Sequence, residues 1–232
     1  MPIPTFVRGQ DNSSGTSCTF DCTPSKPGLN TIVMLMSVVR SSGDGNTTDV
    51  INSALIDGVD AMTSFTQVRA TGTSIITTIV GYGIFYYVNS IPGTRNFTWT
   101  YSGGSGTPTT YICLYEGCNE IVNNASANNT GQVDLTVLEG NENSLMFGIL
   151  KSNAGTVNFN EAGCTNQPAV QRYIGASTSV SYADMPAPLS NTTVTMIWTG
   201  SDREVIRSAL MRDNTTPAGN MFFSSPTCYG SL

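Results

Sequence analysis

The sequence predicts an all-β protein, an antiparallel two-sheet β-sandwich of the jelly-roll or Greek-key type. Short runs of β-branched and aromatic residues alternate with turns rich in Gly, Pro, Asn and Ser. Residues 96–101 and 192–199 alternate between apolar and polar side chains, with the period of a half-buried strand. No long helical pattern is present to supply the crossovers of a parallel sheet, so two packed antiparallel sheets are expected.

The predicted strands follow one another closely along the chain. The most apolar run, residues 31–39, is expected to be a central buried strand, and Gly81 and Gly83 are expected to bend the long run that contains them. Residues 123–131 are predicted to be an Asn-rich loop and residues 186–191 a turn. No repeat of fixed period is visible, which argues against a propeller or a solenoid. The predicted strands are residues 3–8, 17–22, 31–39, 50–56, 65–69, 74–88, 96–101, 109–116, 133–138, 144–150, 156–159, 169–182, 192–199 and 204–212.

The chain is predicted to consist of one sandwich domain, residues 1–213, and a C-terminal arm, residues 214–232. The arm is rich in turn residues, and its apolar centre is Met221, Phe222 and Phe223. A segment of this composition cannot build its own core. We therefore expect these three side chains to contact neighbouring subunits.

The surface is expected to be polar but nearly uncharged. Charged residues make up 11% of the chain, against about 25% in typical soluble domains. The net charge is −6, and the ten basic residues are scattered, whereas nucleic-acid and anionic-membrane surfaces require clustered basic charge. No apolar run is long enough for a transmembrane helix, and the N-terminus lacks the pattern of a secretory signal. We expect neither a nucleic-acid partner nor a membrane partner.

The six cysteines are Cys18, Cys22, Cys113, Cys118, Cys164 and Cys228. Their spacing suggests the disulfides Cys18–Cys22, Cys113–Cys118 and Cys164–Cys228, although six cysteines allow fifteen pairings. Buried free thiols are the main alternative. A metal site is disfavoured because the spacings are atypical and the chain has no histidine.

The absence of histidine also removes Ser-His-Asp and Cys-His nucleophile systems. A pair of carboxylates could still hydrolyse glycosides, but sixteen acidic residues will form close pairs by chance. We expect no enzymatic activity and no cofactor. The candidate carboxylates are Glu116, Glu120, Asp134, Glu139, Glu142 and Asp184.

The order of several short motifs resembles that in phage-encoded and marine-metagenome β-sandwich proteins. An apolar strand is followed by an Asp-Gly turn, an aromatic strand, a Pro-Gly-Thr turn and a late Thr-rich strand that contains Trp. The resemblance covers about residues 3–212. The segments that carry it are residues 30–35, 57–58, 66–68, 85–88, 91–94, 97–100, 114–117, 175–177 and 193–199.

This resemblance implies a virion structural protein, most simply a decoration or cement subunit at the capsid surface of a tailed phage. The implied partners are the major capsid protein or other virion proteins, with a symmetric homo-oligomer such as a trimer. One alternative is a single-jelly-roll major capsid protein, which builds the shell itself. Another is a secreted, extracellular carbohydrate-binding or adhesive domain, which would agree with the seven Asn-x-Ser/Thr sequons.

Overall fold

The predicted all-β class is confirmed by a computed structural model. It describes residues 3–12, 15–26, 28–41, 51–64, 68–70, 78–88, 92–101, 109–128, 132–138, 143–152, 157–174, 180–187, 189, 191–199 and 204–213. Among these residues, the helical structure is limited to a 3-10 turn at Glu161–Gly163, and no helix is long and apolar enough to cross a membrane.

The described residues form antiparallel strands throughout. Residues 123–128, predicted to be loop, belong to a strand because this Asn-rich segment pairs with the last strand of the chain. The strands are β1 (Thr5–Asn12), β2 (Ser17–Asp21), β3 (Asn30–Ser41), β4 (Ile51–Ile56), β5 (Asp60–Ala61), β6 (Thr63–Ser64), β7 (Val68–Ala70), β8 (Thr78–Val88), β9 (Thr94–Tyr101), β10 (Thr109–Glu116), β11 (Glu120–Asn128), β12 (Gln132–Val137), β13 (Ser144–Ser152), β14 (Asn158–Phe159), β15 (Val170–Ile174), β16 (Val180–Ala187), β17 (Thr192–Thr199) and β18 (Glu204–Arg212).

The strand pairing shows the same wrapped arrangement twice along the chain. In the N-terminal half, β1 pairs with β10, β2 with β9, β3 with β8 and β4 with β5. These pairs form a long hairpin that is rolled upon itself. The additional pairs β3–β10 and β4–β9 join the two parts of the hairpin into sheets. In the C-terminal half, β11 pairs with β18, β12 with β17 and β13 with β16, and the pairs β13–β18 and β14–β17 join the strands in the same way. Each half therefore has jelly-roll topology.

The described strands form four sheets. The N-terminal outer sheet has the order β2-β9-β4-β5, and the N-terminal inner sheet has the order β1-β10-β3-β8-β6, with β7 also on β8. The C-terminal inner sheet has the order β11-β18-β13-β16-β15, and the C-terminal outer sheet has the order β12-β17-β14. The sandwich prediction thus holds for each half, and the described chain contains two sandwiches.

The two sandwiches pack through their inner sheets, because these sheets are apolar on both faces. Along β3, Ile32 and Met34 pack against the N-terminal outer sheet, whereas Val33 and Leu35 pack against the C-terminal inner sheet. Along β13, Phe147 faces the N-terminal half, whereas Met146 points to the other face of the sheet and belongs to the C-terminal core. Burial on both faces explains why β3 is a continuous apolar run rather than an alternating one.

The two tryptophans occupy corresponding places in the two halves. Trp99 follows Thr98, which pairs with the first residue of β2, and Trp198 follows Ile197, which pairs with the first residue of β12. Both indole rings are buried. The Nε1 of Trp198 donates to Ser181 Oγ at 3.0 Å, whereas Trp99 Nε1 has no hydrogen-bond partner among the described residues.

This difference gives a matched pair of variants. We expect Trp198→Phe to lower the free energy of unfolding by about 1–2 kcal/mol more than Trp99→Phe, because only Trp198 loses a hydrogen bond, whereas Trp99→Phe removes a donor that is already unpartnered. Urea titration of both variants measures the difference. Equal losses of unfolding free energy, or a larger loss for Trp99→Phe, would contradict the assignment of a stabilising hydrogen bond to Trp198 alone.

Candidate functional site

A buried polar cluster lies where the two inner sheets meet. The carboxylate of Asp184 on β16, 2% exposed, accepts a hydrogen bond from Tyr115 Oη on β10 at 2.8 Å. It also accepts one from Arg172 Nε on β15 at 2.7 Å. Tyr115 Oη and Tyr182 Oη are 2.6 Å apart. Because a tyrosine hydroxyl has one proton and Tyr115 donates it to Asp184, Tyr182 donates to Tyr115.

Aromatic and sulfur contacts complete this cluster. The guanidinium carbon of Arg172 lies 4.5 Å from the centroid of the Phe6 ring, a cation–π contact with β1. The ring of Tyr111 stacks on that of Tyr173 with centroids 4.6 Å apart, and Cys113 Sγ lies 3.8 Å from Tyr182 Oη. The inter-sandwich cluster is Tyr111, Cys113, Tyr115, Arg172, Tyr182 and Asp184.

A glycine on β1 makes room for the outermost tyrosine of this cluster. A Cβ at Gly9 would collide with the Oη and Cζ atoms of Tyr111. The tyrosine is held in place by its stacking on Tyr173 and by a 3.3 Å hydrogen bond from its hydroxyl to the carbonyl of Arg172. Gly9 therefore allows a side chain of the N-terminal half to reach the C-terminal half.

The inter-sandwich cluster joins two halves and has the properties of a structural site. Burial raises the pKa of Tyr115 and of Tyr182 well above the ordinary value, so both hydroxyls stay protonated and act as hydrogen-bond donors. Asp184, one of the carboxylates singled out in the sequence, accepts the hydrogen bonds of both Tyr115 and Arg172 on the same oxygen, Oδ2. The arrangement fixes the orientation of the inner sheets.

The remaining candidate carboxylates have separate local partners. Glu116 accepts hydrogen bonds from the backbone amides of Ser25 and Lys26. Glu120 pairs with Arg212 at 2.7 Å, and Asp134 accepts from Thr195 Oγ1 at 2.6 Å. Glu139 and Glu142 lie outside the described residues. Within the described part of the chain, no group of three or more Cys, Asp or Glu side chains is arranged to hold a metal ion.

The predicted disulfides are not present among the described cysteines, which are free thiols at Cys18, Cys22, Cys113, Cys118 and Cys164. Cys18 lies within β2 and Cys22 directly follows it. Four extended residues span about 13 Å, whereas a disulfide requires Cα atoms within about 7 Å. Cys228 lies outside the described residues.

Cys113 and Cys118, the second predicted pair, are not bonded to each other. Each of the two thiols contacts a different part of the core. The Cys113 thiol donates to the carbonyl of Val33 at 3.4 Å, and Cys118 Sγ lies 3.8 Å from Met211 Sδ. Cys164, predicted to pair with Cys228, has its Sγ 3.4 Å from the carbonyl of Asn160. These cysteines act as small core residues.

Burial makes these thiols poor nucleophiles. It raises the pKa of Cys22 and of Cys118 to about 12 and that of Cys113 still further. Each thiol is therefore neutral in the folded protein at a pH where the unfolded chain ionises it. The protonated form stabilises the fold below the unfolded pKa, and this contribution is lost as the pH rises.

We expect the free energy of unfolding to fall above about pH 9, by about 1.4 kcal/mol per pH unit for each buried thiol. The buried tyrosines add to the slope once the pH exceeds their unfolded pKa. Urea midpoints measured between about pH 7 and pH 11 test this expectation. Cys118→Ala should have a shallower slope than the parent chain, and a pH-independent midpoint would contradict the assignment.

A groove opens at the end of the molecule where β10 ends and β1 and β3 begin. Its volume is about 240 Å³, and it is lined by Ile3, Thr5, Lys26, Gly28, Leu29, Glu116 and Gly117. Gly117 has a φ of 71°, so the chain turns sharply there and leads directly into β11. No pattern in the sequence indicates this groove, because its walls come from three separate segments.

The same end of the C-terminal half carries two exposed leucines. Leu138 follows β12 and is 54% exposed, and Leu189 lies between β16 and β17 and is 65% exposed. The amide of Asn191 donates to the carbonyl of Val137 at 2.7 Å, which joins the two loops. The last strand, β18, ends here too, because Arg212 pairs with Glu120.

The predicted contact residues Met221, Phe222 and Phe223 lie outside the described residues. Comparison with protein-family models, with curated proteins and with solved structures finds no match to this chain.

Proposed function

We propose that this chain is a structural subunit of a virion, a decoration or cement protein at the capsid surface. The observation that carries the proposal is the tandem jelly-roll architecture, a fold used by viral capsid proteins and lectins. The large buried interface and the inter-sandwich cluster make the two jelly rolls one unit. A single rigid unit of two jelly rolls, with outer surfaces available to neighbouring subunits, is suited to reinforcing a shell.

The outer sheets offer surfaces suited to protein contacts. The side chains that β9 directs outwards are Thr94, Asn96, Thr98 and Thr100, and β17 directs further threonines outwards. Interfaces are depleted of charged residues at their centres because burying charge costs free energy. These threonine-rich faces carry few charged side chains and, with Leu138 and Leu189 at one end, favour association with other virion proteins or with further copies of the chain.

Mass spectrometry and negative-stain imaging of purified particles test this function. A stoichiometric component supports it, with a copy number at or below that of the major capsid protein for a decoration subunit. If the chain is itself the most abundant shell protein, it builds the capsid with two jelly rolls rather than with one. Absence from purified particles would contradict the proposal.

A secreted carbohydrate-binding or adhesive domain is the second candidate. The sequon at Asn191 favours it, because this residue is exposed in a turn and has a φ of 53°, where a glycosylating enzyme has access. Glycan-array binding, or an occupied sequon found by mass spectrometry of the natural protein, would support this candidate.

Deleting residues 214–232 is expected to leave the fold intact and to abolish assembly, because every described strand lies before residue 214. Circular dichroism and urea unfolding should match those of the full chain, while the truncated chain no longer binds particles. Normal particle binding or normal oligomerisation by the truncated chain would show that the arm is not an assembly contact.

A further inference from the structure

The groove and the root of the C-terminal arm lie at the same end of the molecule. The amide of Asn119 donates to the carbonyl of Arg212 at 3.1 Å, and the amide of Gly117 donates to the carbonyl of Leu29 at 2.8 Å. The last described strand therefore ends beside the turn that forms one wall of the groove. The arm leaves the described fold after Asp213.

The groove has the size and chemistry for an aromatic side chain. Its volume is about 240 Å³, and an engineered cavity of about 150 Å³ is already sufficient to bind benzene. Ile3 and Leu29 supply apolar side chains, and the two lining glycines leave backbone accessible. Lys26 also lines the groove, so its ammonium group can approach the face of a bound ring.

The arm carries a matching apolar segment at a suitable distance. Met221 is the eighth residue after Asp213, and Phe222 and Phe223 follow it. Eight to ten residues span at most about 26–36 Å, which is long enough to reach a groove on an adjacent copy. A short arm holding two phenylalanines and a methionine is suited to insertion into an apolar groove.

We infer that the Met221–Phe223 segment of one subunit binds in the groove of a second copy, with a phenylalanine ring between Ile3 and Leu29. Because the arm root and the groove lie at one end, two subunits that meet at this end exchange arms reciprocally. This is the self-complementary geometry of a two-fold contact. The inference rests on the proposed function in treating the arm as a contact between subunits.

Photo-cross-linking in the full chain tests the contact. Phe222 is replaced by p-benzoylphenylalanine, and unlabelled and ¹⁵N-labelled chains are mixed before assembly. The expected cross-links join labelled to unlabelled chains and involve residues 3–5, 26–29 or 116–117. Cross-links found only within one chain, or only at other sites, would overturn the inference.

Filling the groove gives an independent measurement with a matched control. Thr5→Phe adds an aromatic ring to an exposed threonine that lines the groove, and Thr63→Phe makes the same change at an exposed threonine on β6, away from the groove and the outer sheets. We expect Thr5→Phe to raise the dissociation constant of the oligomer at least tenfold and Thr63→Phe to change it less than twofold. Equal effects of the two variants would overturn the inference.

The two proposals can fail separately. A chain that is stoichiometric in particles but does not cross-link at the groove keeps the proposed function and loses the arm contact. A chain that is absent from particles but forms the expected cross-links between copies keeps the arm contact and loses the virion function.

Discussion

The Asp184→Ala variant is expected to lose about 3–5 kcal/mol of unfolding free energy, because it removes a buried carboxylate that pairs with Arg172 and accepts a hydrogen bond from the buried Tyr115. The change leaves the guanidinium of Arg172, 27% exposed, without its carboxylate and the hydroxyl of Tyr115 without its acceptor. A loss of this size is a large fraction of the stability of most domains. Urea unfolding followed by circular dichroism measures it.

Two further variants distinguish the stability loss caused by breaking the Asp184 contacts from the general effect of removing an aspartate. Asp134→Ala, at an exposed position on the C-terminal outer sheet, should cost less than about 0.5 kcal/mol. The double variant Asp184→Leu/Arg172→Met should recover the part of the loss that comes from the unpaired Arg172, since an apolar pair can replace an ion pair, while Tyr115 still lacks its acceptor. If Asp184→Ala unfolds at the same urea concentration as Asp134→Ala, the inter-sandwich cluster does not contribute to stability.

Phe147→Ala is expected to cost about 3–5 kcal/mol, the range for truncating a buried phenylalanine. Phe147 is fully buried on β13 and belongs to the core shared by both sandwiches. Its ring centroid is 6.3 Å from that of Tyr182, so the cavity would open beside the inter-sandwich cluster. Leu189→Ala, an exposed apolar position, serves as the control and should be nearly neutral.

The unfolding curve of Phe147→Ala also reports on the coupling of the two halves. If both sandwiches unfold as one unit, fluorescence and circular dichroism should give coincident transitions shifted by the same amount. Loss of stability confined to one of two separate transitions would show that the shared core does not couple the halves.

Strand bounds are predicted well from the sequence where a strand has one buried face and one exposed face. Strand β17 has the predicted bounds of residues 192–199 because Val194, Met196 and Trp198 alternate with threonines. Strand β18 also has its predicted bounds. Its sequence also fits a helical period, but its position after a long series of strands correctly predicts a strand.

The duplication of the jelly roll was not visible in the sequence. Apart from the two tryptophans, these equivalent positions share burial but not residue type: Val33 and Phe147 both face the shared core, and Phe97 and Met196 both face an outer core. Strand β11 was missed because its asparagines resemble a loop. Its pairing with β18 is a long-range contact that local propensity does not reveal.

The role of Asp184 depended on tertiary structure in the same way. The sequence identified this residue only as one of several carboxylates, and Tyr115, its hydrogen-bond partner, is 69 residues away along the chain. The close spacing of Cys18 and Cys22 along the chain suggests a disulfide, but closeness in sequence does not bring two residues together when the chain between them is extended. An extended strand separates such a pair.

A double-mutant cycle between Tyr115→Phe and Asp184→Asn is the most direct test that the two jelly rolls meet at the inter-sandwich cluster. Residues in contact show coupling energies of about 0.5–3 kcal/mol, whereas distant residues are additive within about 0.5 kcal/mol. We predict coupling of at least about 1 kcal/mol for this pair and additivity for Tyr115→Phe combined with Asp134→Asn. Additivity in both cycles would contradict the face-to-face packing of the two sandwiches.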